Sequence, residues 1–252
     1  MRKLSVGALM GALSLIVVAV AIGASATSGT TVQTFDQTYS AKKPSKSTGT
    51  TFKTTSTDDT NTARNKQPKR VTNFDIAFPK GSKIDSKAIA QCKATETDFA
   101  NAPNPDDACP KGSKIGSGAV AARTPFNGVA DFTGTVSAYN ANKGLLLFVN
   151  VQSANQTLLL KPKFVGLNLK TVVPQTCIPP NIPANNCKDA SGTSQEAILT
   201  SFNLTTKPAG TKGKALIKTP PTCPAGGWTF TASIKYADAT SVKIPSKSKC
   251  TK

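Results

Sequence analysis

Residues 228–236 read Trp-Thr-Phe-Thr-Ala-Ser-Ile-Lys-Tyr. In extended backbone, Trp228, Phe230, Ala232, Ile234 and Tyr236 share one face and the Thr, Ser and Lys side chains share the other. A helix would scatter the same residues around its circumference. The pattern therefore demands a strand with one buried face. It recurs through Phe74, Ile76 and Phe78, through Phe132, Val136 and Ala138, and through Ile198, Phe202 and Leu204. Residues 144–151 differ. They are apolar on both faces, with Leu145, Leu147 and Val149 against Leu146 and Phe148, so a central strand covered on both sides is expected. Residues 158–173 read as a long or broken strand interrupted at Pro162 and Gly166. Residues 115–123 are rich in Gly and Ala and predict a strand packed closely against a neighbour. About ten such stretches, with Pro and Gly between them and no long helix, predict an all-β chain folded as an antiparallel β-sandwich or jelly roll.

One insert interrupts this rhythm. The hexapeptide Pro-Lys-Gly-Ser-Lys-Ile occurs at 79–84 and again at 110–115, with Cys92 and Cys109 between. Proline presets φ for one turn position and glycine supplies a left-handed residue at the next, so each copy predicts a tight turn. A repeated anion contact through Lys80, Lys83, Lys111 and Lys114 is the functional alternative, but turn chemistry accounts for Pro and Gly without a ligand. Residues 86–91 suggest one helical turn and 93–102 a short helix starting near Thr95 or Thr97. Asp106-Asp107 reads as a capped turn, because the regular ligand spacing of a calcium loop is missing.

The chain divides into three parts. Residues 1–26 carry Arg2 and Lys3 before a long uncharged apolar run and end in Ala24-Ser25-Ala26, the pattern of a secretory signal peptide; an uncleaved N-terminal anchor is the alternative. Residues 27–68 are polar and rich in Thr, Lys and Ser. They predict an outer strand at 30–39, then an edge strand or partly disordered piece around 50–57. Residues 69–252 form the predicted β-sandwich domain, with 79–115 as its insert.

Six cysteines follow the leader: Cys92, Cys109, Cys177, Cys187, Cys223 and Cys250. An even count in an exported chain predicts disulfides. Many connectivities are open; nearness in sequence suggests Cys92–Cys109, Cys177–Cys187 and Cys223–Cys250, each closing a local loop worth roughly 2–4 kcal/mol. Zinc is a poor fit, since the chain has no histidine and no Cys-x-x-Cys pair.

The net charge is +18, concentrated in residues 125–252, where 14 basic side chains face 4 acidic ones. After the leader almost every cation is Lys. Lysine is a hydrated point charge without the planar fork that base and phosphate recognition favour, so nucleic acid is a weak candidate. Solubility explains the excess, and attraction to an anionic envelope polymer is the sharper reading.

Catalytic patterns are sparse. Without histidine there is no Ser-His-Asp or Cys-His system. Ser-x-x-Lys occurs at Ser40–Lys43 and Ser246–Lys249, both in polar Lys/Ser sequence where chance supplies it. A glycosidase needs two placed carboxylates, and the chain has two Glu, Glu96 and Glu196. Trp228 and Tyr236 could form an exposed aromatic platform, although their alternation favours core packing. No catalytic, cofactor-binding or metal-binding residue is assigned, and no cofactor is expected.

Several spaced motifs keep a recognisable order: Phe78-Pro79-Lys80-Gly81, Cys109-Pro110-Lys111-Gly112-Ser113-Lys114-Ile115-Gly116, Thr219-Pro220-Pro221-Thr222-Cys223-Pro224, Gly227-Trp228-Thr229-Phe230, and Tyr236-Ala237-Asp238. On these the chain resembles a group of uncharacterised exported β-rich proteins of actinobacteria, over most of 69–252. The resemblance implies an extracellular β-fold and favours Cys92–Cys109 and Cys223–Cys250; it brings no activity with it. The expectation is a secreted or envelope-associated, non-enzymatic structural or binding module. Its partner would be an anionic envelope polymer or an extracellular protein, and it would touch membrane only through an uncleaved N-terminal segment. The alternatives are a carbohydrate-active or other extracellular hydrolase on a jelly-roll scaffold, and an electrostatic binder of anionic polymers.

Overall fold

The computed structural model describes residues 24–58, 67–102, 104–123, 131–151, 156–177, 187–188, 196–211 and 213–252. Residues 1–23 of the expected 1–26 leader, and most of the polar loop expected before residue 69, lie outside the described residues; the last three leader positions, Ala24 to Ala26, are described and fall in a strand. The first strands are β1 (Ala24–Ser28), β2 (Thr31–Tyr39), β3 (Thr50–Asp58), β4 (Val71–Ala77) and the short β5 (Lys83–Ile84). After helix α1 (Glu96–Asn101) come β6 (Lys114–Arg123), β7 (Phe132–Ala141), β8 (Gly144–Val151), β9 (Gln156–Leu160), β10 (Lys163–Val165) and β11 (Asn168–Val172). The chain finishes with β12 (Ile198–Thr206), β13 (Ile217–Lys218), β14 (Trp228–Tyr236) and β15 (Ser241–Ser248).

One antiparallel sheet runs in the order β1-β2-β3-β12-β6-β7-β8-β10-β11-β4-β14-β15, with β9 added to β8. It curls until its ends meet, so the fold is all-β and nearly closed as a barrel. Closure uses hydroxyls where a ladder would use carbonyls. Ser246 Oγ accepts from the Gln37 N–H at 2.8 Å, and Ser248 Oγ accepts from the Tyr39 N–H at 2.9 Å. Just before them sits Pro245, which has no N–H to offer a ladder and is tolerated because β15 is an edge. The stretch expected to be an edge or disordered, residues 50–57, is instead interior: β3 pairs with β2 on one side and β12 on the other. Its inward side chains are Thr50, Phe52, Thr54 and Ser56, all buried. Three of these are hydroxyls, and that is why hydrophobicity understated the strand.

Both hexapeptides form the expected turn. The Ser82 N–H donates to Pro79 O at 3.1 Å and the Ser113 N–H to Pro110 O at 3.0 Å, with Gly81 and Gly112 at φ of 88° and 86°. Each serine hydroxyl also donates to the same carbonyl. Ser82 further bonds the buried Tyr39 hydroxyl at 2.6 Å, and burial pushes the ionisation of that phenol up.

The insert covers the outside of β7, β8 and β9. Phe99 of α1 stacks on Phe148 with centroids 4.6 Å apart, and the Cys92–Cys109 disulfide, Tyr139, Leu146 and Leu159 complete this second cluster. Strand β8 is therefore buried on both faces, as its composition required. Thr95 caps α1 in a reciprocal box with Asp98. Residues 86–91 form turns and no helix, started by the Asp85 carboxylate accepting from the Lys87 N–H. The buried Asn140 clamps this stretch by donating to Ser86 O and Ala90 O. Asp106 accepts from Tyr139 and Lys114; partial burial opposes its ionisation, but these contacts hold it below the usual carboxylate range. It is occupied as a structural link, in agreement with the turn reading.

Cys177–Cys187 and Cys223–Cys250 are the other two disulfides. Three such bonds fit an oxidising compartment. Among the described residues no helix is long and apolar enough to cross a membrane.

Candidate functional site

The barrel interior has a full half and an empty half. Around β14, β15 and β2, the inward Phe35, Trp228, Phe230, Ile234 and Ile244 are buried to 2% exposure or less. Tyr39 packs edge-on against Trp228 and tilted against Phe230, centroids 5.5 and 4.7 Å apart. Trp228 Nε1 donates to Thr222 O at 2.7 Å. Trp228 and Tyr236 are thus core residues, and the aromatic-platform alternative is set aside.

The opposite wall is built from small residues. In the β6–β7 register, Gly116 faces Ala138, Gly118 faces Val136 and Val120 faces Gly134. The glycines are imposed by backbone crowding: a Cβ on Gly118 would lie 1.8 Å from Asn203 O, and one on Gly116 2.2 Å from Thr205 O. Side chains this short cannot reach the far wall. A cavity of about 690 Å³ remains, inside the roughly 300–1,000 Å³ range of small-molecule sites. Its lining is mainly Phe, Leu, Ile and Val: Phe52 and Phe202 on one side, Leu145, Leu147 and Val149 of β8 on another, Phe74, Ile76 and Leu169 opposite.

Polar groups are few and spaced. Thr50, Thr54, Thr206 and Gln37 contribute from inside. Thr206 Oγ1 accepts from the Thr50 N–H at 2.8 Å, and Thr54 Oγ1 donates to Thr34 O at 2.7 Å, so these hydroxyls serve the wall. Gln37 differs. It is 2% exposed, lines the cavity, and its Oε1 is buried without a hydrogen-bond partner. An orphan amide acceptor costs about 1–3 kcal/mol, so a donor reaching Gln37 from the cavity would relieve it.

At the other end Arg70 lines the cavity and pairs with Glu196, Nε to Oε1 2.6 Å. Burial raises the Glu196 pKa and the Arg70 charge partly offsets it. The wall also has a seam. Strand β9 pairs with β8, whereas β11 pairs with β10 and β4. Between β9 and residues 173–177 there is no ladder among the described residues; Gln156 Nε2 to Cys177 O at 3.4 Å is the contact across. Gln156, Thr157 and Leu158 line the cavity from one side of the seam, Val173 to Cys177 from the other, and Glu96 joins them. Thr157, Pro174 and Glu96 are also exposed, so the cavity meets solvent here.

The hydrolase alternative requires two carboxylates facing each other. Among the described lining residues Glu96 is the single carboxylate. Ser246 of the second Ser-x-x-Lys pattern is engaged with Gln37 and Asp36 in barrel closure. Among the described residues no group of three Cys, Asp or Glu is placed to hold a metal. The six cysteines form wall and loop crosslinks; Cys177 alone among them lines the cavity. Sequence reading did not anticipate the cavity. The one available signal was the Gly/Ala content of residues 115–123, read there as close packing, which is correct towards β12 and silent about the space left inside.

No protein-family model, curated protein or solved structure matches this chain.

Proposed function

We propose that the chain is an exported, non-enzymatic binding protein that works outside the cell or at its envelope and carries an apolar ligand with one hydrogen-bond donor inside its barrel. The observation that supports this most directly is the apolar cavity of about 690 Å³ with the unpartnered Gln37 Oε1 on its wall. Apolar contact supplies affinity, and the unpartnered Gln37 amide fixes orientation, as in pockets that place few polar groups among many apolar ones. The leader pattern, three disulfides and absence of histidine support the compartment and the non-enzymatic assignment. The ligand class is a lipid-like alcohol, whose hydroxyl donates to the amide carbonyl.

Organic extraction of purified protein, followed by mass spectrometry, and displacement of a fluorescent fatty alcohol test the reading. Wild type should retain an apolar compound and bind the probe. Leu147→Trp, which drives an indole into the cavity, should weaken both. Gln37→Leu should weaken a hydroxylated probe by about tenfold and leave a hydrocarbon probe unchanged. Equal probe binding by wild type and Leu147→Trp would end the proposal.

A further inference from the structure

Val165 and Val172, 53% and 71% exposed, are the exposed large hydrophobic side chains among the described residues. Both lie on one hairpin, β10–β11, and both point outward while Phe164 and Leu169 point in. The outward positions around them are basic. Lys163 sits opposite Lys170, Lys170 opposite Asp75, Asp75 opposite Ser233, and Ser233 opposite Lys243, a continuous row across five strands. Lys235 and Lys247 extend it, and all five lysines are exposed. Asp75 is the one carboxylate on these outward strand positions. The far side of the barrel is different: the matching row reads Asp36, Lys53, Asn203, Ala119 and Thr135, with its two charges paired in register.

We propose that the outer face of β10, β11, β4, β14 and β15 docks on an anionic lipid bilayer. A hydrated polyanion would use the lysines and leave the valines in water. A bilayer uses both: ammonium groups meet anionic headgroups while the valines and the lysine stems enter the interface. The placement also has a consequence for the cavity, and this clause rests on the function proposed above. Val172 directly precedes residues 173–177, which border the seam, so docking brings the opening of the cavity to the lipid surface from which an apolar ligand would pass.

Vesicle co-sedimentation of the full chain tests this, with phosphatidylcholine alone and with phosphatidylglycerol added, at low and high salt. Wild type should bind the anionic vesicles. Lys163→Gln with Lys170→Gln and Lys243→Gln should lower partitioning roughly hundredfold. Val165→Ser with Val172→Ser should lower it about tenfold, most visibly at high salt where the charge contribution is screened. Vesicle binding that none of these substitutions changes overturns the proposal. Loss with the lysine set alone, the valine set binding like wild type, also overturns it and assigns the face to a soluble polyanion. The Leu147→Trp protein should bind vesicles normally, so failure of the cavity reading and failure of docking are separately visible.

Discussion

Inward residues of β14 and β15 and inward residues of β6 and β7 point at the same interior, yet one set fills it and the other leaves room. On the first side, Trp228, Phe230, Ile234 and Ile244 interlock with Phe35 and Tyr39. On the second, Gly116, Gly118 and Gly134 bring backbones together and withdraw side-chain volume from the centre. A close-packed core tolerates little change in volume. A wall facing empty space tolerates much more, because its neighbours already have fewer contacts to lose. The difference separates two parts of one sheet: the aromatic half is packed for stability, and the hollow half leaves the cavity on which the proposed binding rests.

The largest test of that division is a pair of truncations followed by chemical denaturation. Trp228→Ala removes a ring that is 2% exposed and strands Thr222 O, and should cost about 3–5 kcal/mol. Leu147→Ala, on the cavity wall, should fall at or below the bottom of the usual range, about 2 kcal/mol, since it enlarges an existing space. Equal losses would mean that the two halves are packed alike and would break the comparison.

A smaller effect is expected from the buttress outside the hollow half. Replacing Cys92 and Cys109 together by Ala opens a loop of sequence separation 17 and should cost about 2–4 kcal/mol. Because Phe99 rests on Phe148 and Tyr139, hydrogen exchange should rise first at α1 and at β7 to β9. It should leave β14 and β15 protected. Even loosening throughout would show that the insert supports the whole barrel.

Alternation made the strands legible: residues 228–236 are β14 to the residue, and Pro162 and Gly166 fall at the breaks between β9, β10 and β11. Cysteine nearness matched all three bonds. Strand β3 was harder, because its inward Thr50 and Thr54 satisfy themselves through neighbours that no local pattern reveals. Thr50 and Thr206 are far apart in sequence and meet only when β12 lies beside β3. The cavity is harder still. It is a difference between volumes contributed by strands that sequence order does not bring together, and a glycine in β6 looks the same whether its partner fills the gap or not. The basic row has the same origin: Lys163 and Lys170 pair within one hairpin, but Lys243 joins their row through the strand order alone.

The smallest expected effect concerns pH, and its sign differs between the halves. On the filled side Asp238 accepts from Lys69 at 2.7 Å and from Thr240, and these contacts hold its pKa at about 2, below the ordinary 3.8. Lys69 also donates to Ser28, so the pair ties β1 to the β14–β15 turn. A lowered carboxylate contributes stability that is present above the ordinary value and lost as pH falls towards the folded one. Melting measured from pH 3.8 down to 2 should therefore soften, with β1 exchanging first, and Asp238→Asn should flatten that limb. On the hollow side burial raises the Glu196 pKa above its ordinary 4.5 against the pull of Arg70. A raised carboxylate contributes below the ordinary value and loses that contribution as pH rises through the folded one. Glu196→Gln should therefore remove a decline in melting temperature on the upward side of pH 4.5 and leave the acid limb intact. The two substitutions acting on the same limb would mean that both carboxylates report one global transition, with no local difference between the halves.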